Sequence, residues 1–175
     1  RVARLGIAYS RGLEDGGVLS VSKHFPGHGD TSVDSHKALP TVSHDQSTFD
    51  NIDLVPFKQY IDAGLSGVMV GHHSVPAVDK SGTPASLSKV ITTDLLQEKM
   101  NFEGLIFTDA LEMKGANSSI NNCVAALLAG ADVLLSPANP SNDLDAVMKA
   151  IKSGKITMSM IEARCKKMLT YKYAL

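Results

Sequence analysis

Four short runs rich in β-forming residues, each flanked by stretches of helical periodicity, constrain this chain more than any other feature. They cover residues 18–25 (VLSVSKHF), 67–71 (GVMVG), 105–109 (LIFTD) and 132–136 (DVLLS). Runs this short and this apolar are read as strands buried on both faces, the pattern of a parallel sheet. Helical spacing is expected over 2–14, 51–63, 89–100, 121–129, 143–152 and 158–172, with Ser88 as an N-cap and Gly64, Gly130 and Gly154 as stops. The resulting order, α-β-α-β-α-β-α-β-α-α, argues an α/β fold with right-handed crossovers. The aliphatic and Met residues at helical spacing are expected to be core.

Composition narrows the functional classes. At 43% hydrophobic residues over 175 positions there is enough apolar material for one core, which excludes intrinsic disorder. No apolar run reaches about 18 residues, so no membrane span is expected. Seventeen basic and eighteen acidic side chains leave a net charge of −1. Such a chain has no global basic field to hold nucleic acid. Cys123 and Cys165 are too few for a disulfide framework and read as buried small hydrophobes. The first residues, RVARLGIAYS, carry neither Met nor an apolar leader and read as an interior start.

Two linkers, 26–50 and 72–88, are longer than usual βα turns and follow strand C-termini, where α/β folds keep their active sites. The first opens on Lys23-His24-Phe25-Pro26-Gly27-His28-Gly29-Asp30 and continues to Asp34-Ser35-His36-Lys37. Three readings compete there. His24, His28, His36 and the aspartates could ligate zinc, although their spacing matches no zinc pattern. The histidines could simply be solvated in a turn. Alternatively Asp34 and His36, one residue apart, could pair, the carboxylate raising the imidazole pKa and fixing its tautomer for proton transfer. Asp109 ends the third run, where a buried carboxylate needs partners or a task. It reads either as an N-cap or as a nucleophile at the mouth of the sheet, and Glu112 as part of a capping box. His72 and His73 follow the second run, lining the pocket or idle in a loop.

Four segments together, KHFPGHGDTSVDSHKALP, GVMVGHHSVPAVD, PASLSKVITTDLLQEKMNFEGLIFTDALEM and AGADVLLSPANP, resemble glycoside hydrolase family 3, in its bacterial β-N-acetylhexosaminidase branch. The branch rests on Asp34 and His36. The resemblance implies a (β/α)8 barrel and a retaining double displacement through a covalent glycosyl-enzyme. On this chain Asp109 matches the nucleophile, His36 the general acid/base and Asp34 the residue that orients it. Lys23 and His24 match a pair that binds the hydroxyls of the sugar being transferred. A carboxylate nucleophile and an Asp-supported imidazole can be ionised and protonated at one pH, which departs from the usual two-carboxylate arrangement.

The resemblance also implies that KHFPGHG is the fifth of eight strands, so that residues 1–175 form the C-terminal half of the barrel. An Asp and two Arg positions that the family uses to hold the sugar then have no counterpart here. The implied substrate is a terminal GlcNAc on a β-glycoside such as a muropeptide, with neither metal nor organic cofactor. Phosphate in place of water is an alternative acceptor, and a cytoplasmic role in peptidoglycan recycling is the family default. A rival reading is a non-catalytic half-barrel that binds carbohydrate or assembles. Four parallel strands leave two raw edges, so the missing half or a second copy is expected to cover them.

Overall fold

A computed structural model describes residues 1–29, 31 and 39–174. Helix α1 (Val2–Asp15) leads into strand β1 (Val21–Phe25), and the short helix α2 (Gln46–Thr48) passes through a π-helical turn, Phe49–Asp53, into α3 (Val55–Asp62). Strand β2 (Gly67–Val70), a 3-10 turn at Ala85–Leu87 and a π-helix at Val90–Lys99 precede strand β3 (Leu105–Thr108). Helices α4 (Asn122–Ala129), α5 (Pro140–Lys152) and α6 (Met158–Tyr173) complete the chain. The strands form one parallel sheet in the order β1-β2-β3, with Gly67 opposite both Val21 and Leu105.

The fourth expected strand is corrected to a single parallel bridge, Phe107 to Val133. Side chains occupy what would be ladder positions. The Ile106 N–H donates to the Asp132 carboxylate at 2.9 Å, and the Leu135 N–H donates to Thr108 Oγ1 at 3.0 Å. The segment still runs beside β3, because the Thr108 N–H reaches the Val133 carbonyl and the Val133 N–H the Ile106 carbonyl, each at 3.0 Å. Two further bounds differ from expectation. β1 begins at Val21 rather than Val18, and the helix expected over 51–63 is broken at Leu54.

The 89–100 stretch is helical but π-wound, and the cause is visible in its pattern. Ile91, Leu95 and Leu96 are buried and Met100 packs beside them, positions four and five apart. Hydrogen bonds from i to i+5 bring such positions to one face, as in Met100 N–H to the Leu95 carbonyl at 2.9 Å. Ser88 does cap this segment, its Oγ accepting the Ile91 N–H at 3.3 Å.

One face of the sheet is sealed. Phe25, Val68, Val70 and Ile106 are buried against Phe57 and Tyr60 of α3 and against the π-helix, each such side chain contributing about 1.5–3 kcal/mol. Met69, Phe107 and Val133 alternate to the other face and are only half-buried. Helix α4 is packed between elements, six of its eight residues being buried. Its last carbonyls are taken by side chains: Thr93 donates to Ala129 O, Gln97 to Gly130 O, and Arg164 to Leu127 O and Ala131 O. Gly130 closes it with φ +117°, a conformation glycine adopts without strain.

The expectation of an all-core set of aliphatic residues is corrected at the rim. Val2, Leu5, Ile52, Leu144 and Met158 are more than half exposed. Cys123 is buried as expected, but Cys165 is exposed on α6. No helix among the described residues is long and apolar enough to cross a membrane.

Candidate active site

Because the three strands are parallel, their C-terminal ends lie along one edge, and His24, His72, His73 and Asp109 stand at or just beyond those ends. Lys23 and His24 lie on β1, His72 and His73 follow β2 with Gly71 between, and Asp109 follows β3 directly. The Asp109 N–H extends the ladder, donating to the Val70 carbonyl at 3.0 Å. Its carboxylate is held from one side, Oδ1 accepting the Ala110 N–H at 2.8 Å. The other oxygen, Oδ2, stands 3.6 Å from His24 Nε2. Burial lowers the His24 pKa, and the neighbouring Asp109 charge pulls it back up.

The capping readings do not hold. No helix opens at Asp109, since residues 109–121 run through turns to α4. That helix is capped by Asn121, whose Oδ1 accepts the Cys123 and Val124 N–H groups. Glu112 is exposed and its N–H donates to the Ser136 carbonyl. Asp109 is thereby left as a carboxylate with no structural capping duty.

His72 is neither pocket lining nor idle. It is fully buried, with Nε2 2.9 Å from the Ala110 carbonyl and Nδ1 2.6 Å from Ser86 Oγ. A carbonyl only accepts, so Nε2 carries the proton and Nδ1 receives the Ser86 hydroxyl. The pair fixes the carbonyl of Ala110, the residue after Asp109. Sequence reasoning missed this role, and also missed the His44–Asp53 pair, Nδ1 to Oδ2 at 2.7 Å, beside the base of the 26–50 linker. The D-x-H spacing that draws attention to Asp34 is absent from a pair nine residues apart.

His73 is fully buried as well, its ring stacked on His28 with centroids 5.1 Å apart. The space for it exists because residue 71 is glycine. A methyl group there would lie 2.9 Å from His73 Nδ1 and 3.0 Å from the His24 Cβ. Gly71→Ala is therefore expected to cost about 1–3 kcal/mol through overpacking of a rigid ring. His24 would be displaced from Asp109 as well. A urea titration checks the first effect; an unchanged midpoint would show that the rings are not so confined.

Burial pushes the His73 imidazole down from 6.5 to about 3, with His28, His24 and His72 adding to the effect. The unfolded chain takes up a proton that the folded one refuses, so the associated stability is fully present above pH 6.5 and is lost as pH falls toward 3. His24 and His72 shift in the same direction. The urea midpoint should be level above about pH 7 and fall between about pH 6.5 and 5, above the range where carboxylates titrate. His73→Phe should reduce that slope. A midpoint independent of pH over this window in the natural protein would contradict the assignment.

A groove of about 880 Å³ follows the free edge of β1 between α1 and α3, and its wall includes Lys23, His24 and His28 but not Asp109. Asp34 and His36 lie outside the described residues. The chain re-enters beside the site through a parallel bridge, Thr41 to Ser74. Among the described residues no three His, Cys, Asp or Glu side chains come together as a metal-binding set.

A parallel α/β sheet that carries a carboxylate and an imidazole at the C-terminal ends of its strands holds them where sheets of this class bind their ligands. The sequence profile of the glycosyl hydrolase family 3 N terminal domain matches residues 1–171, and the chain belongs to that family. It is 40% identical over 153 residues to a beta-hexosaminidase of Chromobacterium violaceum, covering 86% of this chain and 42% of that protein. It superimposes on a family 3 β-N-acetylglucosaminidase from Paenibacillus with a TM-score of 0.93 and 39% identity, covering 98% of this chain and 34% of that one. A β-glucoside phosphorylase matches with a TM-score of 0.92 at 28% identity, covering 98% and 33%. The chain thus spans well under half the length of these relatives.

Proposed function

We propose that this chain is the nucleophile-bearing, C-terminal half of a (β/α)8 barrel in a retaining β-N-acetylglucosaminidase. The observation that carries this reading is the approach of His24 to Asp109 at the C-terminal edge of the sheet, Nε2 to Oδ2 at 3.6 Å, with Lys23 adjacent to His24 on β1. Asp109 attacks the anomeric carbon and forms a glycosyl ester, while His36, supported by Asp34, gives its proton to the departing oxygen. The now neutral His36 then takes a proton from water, whose oxygen attacks the same carbon and releases Asp109. Lys23 and His24 donate to the hydroxyls of the transferred sugar. The substrate is a terminal GlcNAc, as on a muropeptide, and the reaction draws on no cofactor.

The half-barrel reading is supported by one helix-sealed and one half-buried face on the same sheet. Grooves flank both sides: the one beside β1, and another of about 470 Å³ bounded by Leu105, Phe107, Val133 and Met168. The exposed apolar residues Val2 and Tyr9 line the first groove. The missing half of the barrel, or a second copy of this chain, covers these surfaces.

The intact gene product should release chromophore from a nitrophenyl N-acetyl-β-glucosaminide, and the 175-residue chain alone should do so weakly or not at all. Binding of GlcNAc by a folded gene product without any release would favour a non-catalytic carbohydrate-binding role. The phosphorylase neighbour gives a second reading its footing. Formation of GlcNAc 1-phosphate when phosphate is added, in preference to free GlcNAc, would assign phosphate as the acceptor.

A further inference from the structure

The residues assigned to chemistry leave one buried titratable side chain without a task. His73 is wholly inaccessible, and neither of its ring nitrogens has a hydrogen-bond partner among the described residues. A neutral imidazole always carries one N–H, and burying that group unpaired is destabilising. An apolar side chain would avoid the cost, so hydrogen bonding does not explain the ring. Its contacts do.

His73 and His28 stack with 17° between their planes, and His28 meets His24 edge-on, with centroids 5.9 Å apart at 81°. Such offset-stacked and T-shaped pairs are the favoured geometries of aromatic rings. The His73 ring abuts Gly71 as well, where even a methyl group would collide. Three rings therefore run in series from a backbone wall to the imidazole that faces Asp109. The middle ring is tied too, His28 Nδ1 lying 2.8 Å from Thr31 Oγ1.

We propose that His73 is a positioning residue, whose flat buried ring sets the plane of His28 and, through it, the approach of His24 to Asp109. The proposal rests on the glycosidase reading above for its effect on turnover, but not for its effect on ring geometry. A planar ring is what the position requires, whereas an N–H is not. Phe should therefore replace His73 and Ala should not.

The test uses the intact gene product with His73→Phe, His73→Ala, His28→Ala and the His28→Ala/His73→Ala double variant. Long-range 1H–15N spectra of the unliganded proteins report the His24 and His28 rings directly. His73→Phe should keep those signals near their natural positions, raise the melting temperature and leave kcat within about twofold. His73→Ala should shift both sets of signals and lower kcat by about tenfold to a hundredfold, with a smaller change in KM. The double variant should be no worse than His28→Ala alone, since both changes break one series. Loss of activity in His73→Phe equal to that in His73→Ala, or additive losses in the double variant, would overturn the proposal. Unmoved His24 and His28 signals in a folded His73→Ala would overturn it equally. Should the natural protein cleave no glycoside, the glycosidase reading fails and the ring signals alone still decide the role of His73.

Discussion

Asp109→Asn in the intact gene product is expected to lower kcat on N-acetyl-β-glucosaminides by about 10⁴-fold or more, the scale of losing a covalent nucleophile. The substitution is nearly isosteric, and the geometry allows it without collapse. Oδ1 of Asp109 accepts one N–H, from Ala110, and the amide oxygen of Asn can accept the same bond. Oδ2 faces His24 at 3.6 Å, where the amide group removes the charge but little volume. Stability should consequently change little, and substrate binding, which we assign to Lys23 and His24, should survive. A loss of only a few-fold in kcat would mean that Asp109 does not form the ester. A collapse of stability would mean that its charge is needed by the fold.

The second large effect is expected at His36. His36→Ala should cost about 10²–10⁴-fold on glycosides with a poor leaving group, the usual range for general acid catalysis. It should cost far less on a dinitrophenyl glycoside, whose oxygen departs without a proton. With that substrate the second step becomes slow instead, because water has lost its base, and glycosyl-enzyme should accumulate. Azide needs no base to attack and should restore turnover, releasing a glycosyl azide. Equal losses on good and poor leaving groups, with no rescue by azide, would remove His36 from the acid/base role. Asp34→Asn should lower activity in the same pattern, since an amide leaves the imidazole without its charge partner.

The parallel order and three of the four strands were legible because short apolar runs bounded by turns have few other solutions. Asp109 and His24 were legible as candidates for one edge because each stands at or beside a strand's C-terminal end. What escaped depends on contacts between distant residues. The 132–136 run has the composition of a strand, yet Asp132 and Thr108 compete as side chains for the ladder positions. The π-winding at Val90–Lys99 was present in the spacing of Ile91, Leu95, Leu96 and Met100 but is indistinguishable by eye from a loose α pattern. His72 and His73, adjacent and identical in type, have opposite environments: among the described residues one ring is hydrogen-bonded at both nitrogens and the other at neither. Their residue type carries no sign of that difference. It arises from which side of the chain meets Ser86 and which meets His28.

The claim on which the rest depends is that Asp109 forms a covalent bond to the sugar. An activated 5-fluoro analogue of an N-acetyl-β-glucosaminide slows breakdown of a glycosyl-enzyme, so the intact gene product incubated with it should gain the mass of one sugar. Proteolysis and tandem mass spectrometry should then locate that mass on Asp109, within the sequence FTDALEM. A label on any other side chain, or inactivation-free turnover with no adduct at all, would contradict the account.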